Sequence, residues 1–250
     1  MLVRPIKTHA LSPHHPTELT SLISQYIDAI EERSVLMITS KVVSICEGSY
    51  VPMNTGDKDK LIQAAAQYFL PRAENPYHVA LTITQGSLIA SAGIDESNGD
   101  GYYILWPKDP FASARSIRAF LCAHYGLSDV GVIITDSKTT PLRWGTTGTS
   151  IAFAGLVGIK DCIGQPDLFG HAMRMTKMNI VDGLAAAAVV AMGETNESTP
   201  LCIINQVPWV DFDAAAPTQN DQAAFFISPE DDLYGPLLNS VKWNRGDQAR

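Results

Sequence analysis

The chain has 250 residues, 46% of them hydrophobic, and a formal net charge of −8. That length and apolar content suit one large domain or two small ones with a real core. No dense Lys/Arg stripe offsets the acidic balance, which excludes nucleic acid as an expected partner, since phosphate-backbone binding needs clustered positive charge.

The amino-terminal stretch MLVRPIKTHALSPHH lacks the apolar core of a signal peptide. A helix is predicted from about Pro16 through ELTSLISQYIDAI, where Leu19, Leu22, Ile23, Tyr26, Ile27 and Ile30 recur at helical spacing. A strand follows at SVLMITS, then a second apolar run at VVSI. DKDKLIQAAAQYFL has helical propensity and stops at Pro71. VALTITQGSLIAS reads as a β-hairpin turning at Gln85-Gly86. DPFASARSIRAFLCAHYG carries helix punctuation: Asp109 to cap, Pro110 in the first turn and Gly126 to end it. VGVIIT is a short buried strand, and SIAFAGLVGI suits either strand or helix. MNIVDGLAAAAVVAMG is a long helix ending at Gly193. Its run LAAAAVVAM is about half the ~20 residues a membrane span needs. LCIINQV is another strand, EDDLYGPLL a short helix and turn, and the tail from Lys242 is polar and expected to fray.

Strands and helices mix without regular βα alternation, which predicts an α+β fold with mixed and antiparallel sheets. Neither a GxxxxGK[ST] loop nor a GxGxxG turn between strand and helix occurs, so the expected fold is non-P-loop and non-Rossmann. The four cysteines, Cys46, Cys122, Cys162 and Cys202, are far apart and form no CxxC pair. They read as buried free thiols in a reducing, cytoplasmic setting.

Two acidic loops concentrate the chemistry. GIDESNG follows the apolar run LIASAG, and ITDS closes VGVIIT. A carboxylate at the exit of a buried strand is held rigidly and can face a cleft. Asp95 and Asp136, with Asn98, Thr135 and Ser137 beside them, form an oxygen-only set suited to Mg or Mn. Such cations usually accompany phosphate, so the site reads as one for a nucleotide. The alternative is that each aspartate caps a turn or helix. Lys41, at a strand exit, suits nucleotide phosphate or a solvated surface. Arg143 suits a bidentate clamp on phosphate or carboxylate, or a structural salt bridge. Glu194 and Glu197 suit a metal shell or a capped loop. GTTGTS (145–150) resembles a phosphate cradle without its lysine, or a tight turn. Neighbouring side chains diverge, so His14 and His15 are not expected to share a metal. Asp182, inside the long helix, suits a core hydrogen bond or a dimer contact.

Six stretches in order resemble the coenzyme F420-0:γ-glutamyl ligase family: SKVVSICEG, SAGIDESNG, LWPKDPFASARSIR, GVIITDSKTTPLRWG, DCIGQPDLFG and MTKMNIVDGLAAAAVVAMGE. The resemblance spans roughly residues 1–205. It implies two intertwined subdomains in a single domain over residues 1–241, with a polar tail over 242–250, and a homodimer. It also implies a GTP-dependent ligase, using Mg or Mn, that adds L-glutamate through a γ-linked amide to a small-molecule carboxylate acceptor. ATP in place of GTP stays open, and neither nucleic acid nor a membrane is implied as partner. Carried over residue by residue, Asp95 and Asp136 match metal-binding aspartates, Ser137 the adjacent hydroxyl and Asn98 a nucleotide-contacting asparagine. Ser40 and Lys41 match a nucleotide-binding pair. Thr8, His9 and Leu11 lie in a stretch lining the nucleotide pocket. Glu194 to Glu197 match an acidic loop near metal and phosphate, and Glu194 is carried over as a metal ligand. The catalytic set is thus Asp95, Asp136, Lys41 and Arg143.

Three departures bear on the acceptor. Ile45 stands where many members carry a lysine, Lys138 to Pro141 replace an aromatic-Gly-Arg-Pro sequence, and His171 replaces a common arginine. A branch with a similar SKTTPLRWG stretch has been linked to folate. A folate acceptor with the same chemistry is therefore the alternative, and a non-catalytic nucleotide-binding protein the rival from another class.

Overall fold

The structure, a computed structural model, describes residues 1–249. In chain order its elements are β1 (Leu2–Ile6), α1 (Leu19–Tyr26), β2 (Ser34–Thr39), α2 (Ser40–Glu47), β3 (Tyr50–Pro52), α3 (Lys58–Ala65) and β4 (Tyr68–Leu70). Next come β5 (Leu81–Thr84), β6 (Ser87–Ala90), β7 (Tyr102–Ile104), α4 (Pro110–Tyr125), β8 (Val130–Thr139), β9 (Thr146–Ala154) and β10 (Ile159–Asp161). The remainder are β11 (Lys177–Asn179), α5 (Ile180–Met192), β12 (Leu201–Asn205), α6 (Gln219–Phe225), α7 (Gly235–Leu238) and β13 (Asn244–Arg245). The fold is α+β, as the mixed pattern predicts.

The main sheet has the order β1-β12-β2-β8-β9, antiparallel except for the parallel pair β2 and β8. Val35 to Ile38 and Val132 to Ile134 have no exposed surface. Central strands covered on both faces explain why these segments read as continuous apolar runs rather than alternations. α4 and α5 pack on β8 and β9. α4 starts where Asp109 accepts a hydrogen bond from Ala112 N–H at 2.9 Å and stops at the left-handed Gly126. α5 is capped by Asn179, which accepts from Asp182 N–H. Asp182 in turn accepts from Thr149 Oγ1 at 2.9 Å and Ser150 N–H at 2.8 Å, so it pins the helix to β9. That fits the core-bond reading of Asp182.

A second sheet, β13-β4-β5-β6, is antiparallel throughout. It has its own small core of Ile62, Ala66, Ala80, Ala92 and Ile94. Its β5–β6 hairpin turns at Gln85 and Gly86, whose φ values of 48° and 76° are those the tight turn requires.

Local propensity misplaces several boundaries. The helix expected to reach Ile30 ends at Tyr26. VVSI is helical, inside α2, and Gly48 closes that helix in the left-handed region. The predicted helix over 57–70 stops at Ala65, because Tyr68 to Leu70 pair with β5. Cross-strand pairing of an aromatic-rich run outweighs helical propensity there. SIAFA belongs to a strand, and GTTGTS is no cradle: Thr146 onward is β9. The described part of the tail, from Lys242 to Ala249, is tied down instead of frayed. Asn244 and Arg245 pair with β4, and Gly246 N–H donates to Gln67 O at 2.9 Å. Upstream, Phe225 and Phe226 pack edge-on against Phe153 and Phe111, while Phe226 also covers Gly86 of the small sheet. The carboxy-terminal segment therefore links the two sheets. No helix among the described residues is long and apolar enough to cross a membrane.

Candidate functional site

Thr39 of β2 lies opposite Thr135 of β8 in the parallel ladder, so β2 ends there while β8 runs on to Thr139, and Asp136 lies inside β8, paired with Thr149 of β9, instead of at the strand exit expected from VGVIIT. β2 runs straight into α2, which places Ser40 and Lys41 in the first turn of that helix. β8 is irregular after Ile134, and Asp136 follows at once. The small sheet supplies the other wall. After β6 the backbone takes positive φ at Ser91, Ala92 and Gly93, which turns the chain so that Asp95 faces the same space. The resulting cleft has a volume of about 850 Å³. Thr8, His9, Leu11, Ser40, Lys41, Asp95, Asn98, Asp136, Ser137, Glu194 and Glu197 all line it. Arg143 does not. It sits in the exposed β8–β9 loop, its N–H donating to Thr140 O at 3.2 Å.

The two aspartates have different surroundings. Asp95 Oδ2 is 2.7 Å from Lys41 Nζ, and Asp95 Oδ1 accepts from Ser97 N–H at 2.8 Å. Ser97 Oγ lies 2.9 and 3.0 Å from the two carboxylate oxygens. Burial alone would raise the Asp95 carboxyl, but Lys41 and Ser97 outweigh it and hold it below the usual range. Asp136 accepts from Trp106 Nε1 on one oxygen and from Ser137 N–H, at 2.8 Å, on the other. The residue keeps some surface, but protein encloses its carboxyl. Burial pushes that carboxyl up, Trp106 and Ser137 oppose it, the Asp95 charge adds to it and Lys41 subtracts, leaving it at about 6. Trp106 reaches Asp136 because Gly93 has no side chain. A Cβ there would lie 2.2 Å from Trp106 Nε1.

The remaining wall is a set of cross-braces. Asn98 Nδ2 donates to Thr195 O at 2.8 Å, and Ser12 Oγ to Asp100 Oδ2 at 2.6 Å. Glu194 Oε1 accepts from Ser137 Oγ at 2.7 Å and Thr146 Oγ1 at 3.2 Å. Glu197 accepts from Thr195 N–H and Oγ1, both at 2.8 Å, and so caps its own loop. Thr8 N–H donates to Ser198 O at 2.8 Å. Ile45 lines the cleft as an apolar wall. His14 packs edge-on against Tyr102 and does not line the cleft.

Among the described residues no three His, Cys, Asp or Glu side chains gather as a metal cage. What the cleft offers is the pair Asp95 and Asp136, with Glu194, hydroxyl and amide oxygens around them. That donor set fits a hard cation whose shell is completed by water and substrate phosphate, as Mg commonly is. Sequence reasoning missed Trp106, Ser97, Ser12 and Thr195. Only Trp106 left a signal, an indole N–H in the segment LWPKDP just after the first acidic loop.

A model of the F420-0:Gamma-glutamyl ligase family matches residues 6–206. The protein named coenzyme F420:L-glutamate ligase of Methanopyrus kandleri is 34% identical over 202 residues, 74% of this chain and 79% of that protein. The protein of the same name from Methanocaldococcus jannaschii is 32% identical over 237 residues, covering 86% and 89% of the two chains. That from Methanothermobacter thermautotrophicus is 31% identical over 208 residues, covering 76% and 82%.

Proposed function

This chain belongs to the F420-0:γ-glutamyl ligase family and is a ligase; from that premise we propose that it joins L-glutamate to a carboxylate acceptor of the coenzyme F420-0 type, driven by GTP, in a cytoplasmic homodimer. The observation that carries this reading is the convergence of Asp95, Asp136 and Lys41 in one cleft, where β2 gives way to α2 beside the middle of β8.

A carboxylate oxygen is a poor leaving group, so an amide needs activation. The acceptor carboxylate attacks the terminal phosphorus of the nucleotide, the bond to the nucleoside diphosphate breaks, and an acyl phosphate forms. The glutamate amine then attacks the acyl carbon, loses a proton and expels phosphate. Asp95 and Asp136 would hold a divalent cation, with Ser137 and Glu194 beside them. Bound there, the cation would neutralise the triphosphate and the charge that develops in transfer. Lys41 and Ser40 lie in the first turn of α2, where free backbone N–H groups and the ammonium favour phosphate. Thr8, His9 and Leu11 form the side of the cleft suited to the nucleoside, and Asn98 and Glu197 brace the loops that enclose it. The homodimer reading is supported by large apolar side chains left bare beyond the cleft. Leu142 and Trp144 are 101% and 93% exposed, and Leu168, Phe169 and Met175 exceed 80%.

The test is to incubate pure protein with GTP or ATP, Mn, L-glutamate and either F420-0 or a folate, and to read the glutamate mass increment. Product with F420-0 supports the proposal. Product with folate alone replaces the acceptor and leaves the chemistry. Nucleotide binding without product from either refutes both acceptors and leaves the carboxylate substrate to be sought elsewhere.

A further inference from the structure

The cleft has a cation of its own. Lys41 Nζ sits 2.7 Å from Asp95 Oδ2, donates to Ser97 O at 2.6 Å and lies 3.3 Å from Ser97 Oγ. The three donors of the ammonium therefore all have partners. The carboxylate is equally occupied, since Ser97 N–H and Oγ take the positions that Lys41 leaves. The pair is also partly removed from water, with side-chain exposures of 25% for Lys41 and 44% for Asp95. Its charge reaches deeper, because the Asp136 carboxyl feels both Asp95 and Lys41.

We infer that Lys41 is a resident counter-ion of the Asp95–Asp136 pair, which makes divalent-cation binding there conditional on an arriving polyphosphate. The inference rests on reading these two aspartates as the cation's ligands. A divalent ion arriving alone must displace the ammonium from Asp95 and then sits near that like charge. The ammonium offsets one unit of the negative charge that Asp95, Asp136 and the neighbouring Glu194 bring to the site, and so weakens its hold on a divalent ion. A triphosphate supplies the missing anion. Lys41 has a flexible four-carbon stem rooted in the first turn of α2, so its ammonium can leave Asp95 for phosphate while its backbone stays in place. Cation and polyphosphate then each strengthen the other's binding by the same factor, as linkage requires. Lys41 is in this respect a positioning residue: it acts through Asp95 as well as on phosphate.

The coupling separates this role from simple phosphate binding. A lysine that only grips phosphate leaves nucleotide-free cation binding unchanged when it is removed. A resident counter-ion predicts that its removal tightens that binding. Mn²⁺ titrations of the full chain at pH 8, read by the fall in free Mn²⁺ electron resonance, with and without a non-hydrolysable GTP analogue, distinguish the two. For the native protein, Mn²⁺ alone binds weakly and the analogue tightens it by roughly ten- to a hundredfold. In Lys41→Met, Mn²⁺ alone binds about tenfold more tightly than to the native protein, and the analogue adds little. Lys41→Arg keeps the charge and restores the weak nucleotide-free binding, while a thermal midpoint for each variant shows that the fold persists. Lys41→Met binding Mn²⁺ alone no more tightly than the native protein overturns the inference. Tight binding in Lys41→Met that survives a second change, Asp136→Asn, overturns the assignment of the cation ligands and the inference with it. The native protein binding Mn²⁺ equally well with and without the analogue, while Asp136→Asn abolishes binding in both, overturns the inference and leaves the ligand assignment standing.

Discussion

The Asp136 carboxyl offers a sharp test of the electrostatics at the bottom of the cleft. Its folded value of about 6 lies above the ordinary 3.8, with burial as the main cause. In ligand-free protein the ionised group is therefore a burden above pH 6. As pH falls through 6 the folded state takes up a proton while the unfolded chain does not, so stability rises until the unfolded value is passed. The gap between the two values corresponds to about 3 kcal/mol at most. Between pH 7 and pH 5 the gain is about 1.3 kcal/mol, or roughly 3–5 °C in thermal midpoint for a chain of this size. Asp95, Glu32, Asp167 and Glu197 are shifted the other way and lose their contribution chiefly at lower pH. The assay compares thermal midpoints at pH 7, 6 and 5, in chelator, for the native protein and Asp136→Asn. The native protein should gain on the variant as pH falls. Parallel pH profiles would refute the claim that this carboxyl is ionised against its surroundings at neutral pH.

Three further outcomes follow from the same geometry. Trp106→Phe removes the indole donor to Asp136, and with it about 1.5–3 kcal/mol of charge-assisted hydrogen bonding; the Asp136 carboxyl moves higher still, so Mn²⁺ binding at pH 6.5 should weaken while binding at pH 8.5 stays near native. Gly93→Ala sets a Cβ against Trp106 at a φ of +71° and should cost more than about 2 kcal/mol in chemical denaturation, with ligase activity lost in the fraction that still folds. Leu142→Ser combined with Trp144→Ser takes apolar area from the β8–β9 loop, and light scattering should show a shift from dimer towards monomer; an unchanged mass would detach that loop from the interface.

Much of the fold is legible locally. α4 is written in its own caps, Asp109 and Gly126, and α5 in a long apolar run closed by Gly193. β2 and β8 stand out because strands buried on both faces need continuous apolar runs. The three-residue strands β4, β10 and β11 do not stand out, since too few residues alternate to set a pattern and distant partners decide them. The site divides in the same way. Asp95 and Asp136 are visible as carboxylates after apolar runs, and the cleft brings them together with Lys41. The Ser12–Asp100 and Asn98–Thr195 braces are products of tertiary folding that no spacing in the chain announces, and Trp106 leaves only its indole in LWPKDP as a trace. Arg143 shows the converse, because nearness to Asp136 in sequence placed it at a hairpin tip instead of in the cleft.

The partnership of Asn244 with Phe69 has a consequence for synthesis on the ribosome. β4 emerges early, yet its outer edge has no neighbour until Asn244 and Arg245 have been made. An open strand edge bearing Tyr68, Phe69 and Leu70 invites pairing with other nascent molecules. Yield of folded protein should therefore fall, with aggregates in its place, when Asn244 and Arg245 are deleted and the edge of β4 stays open.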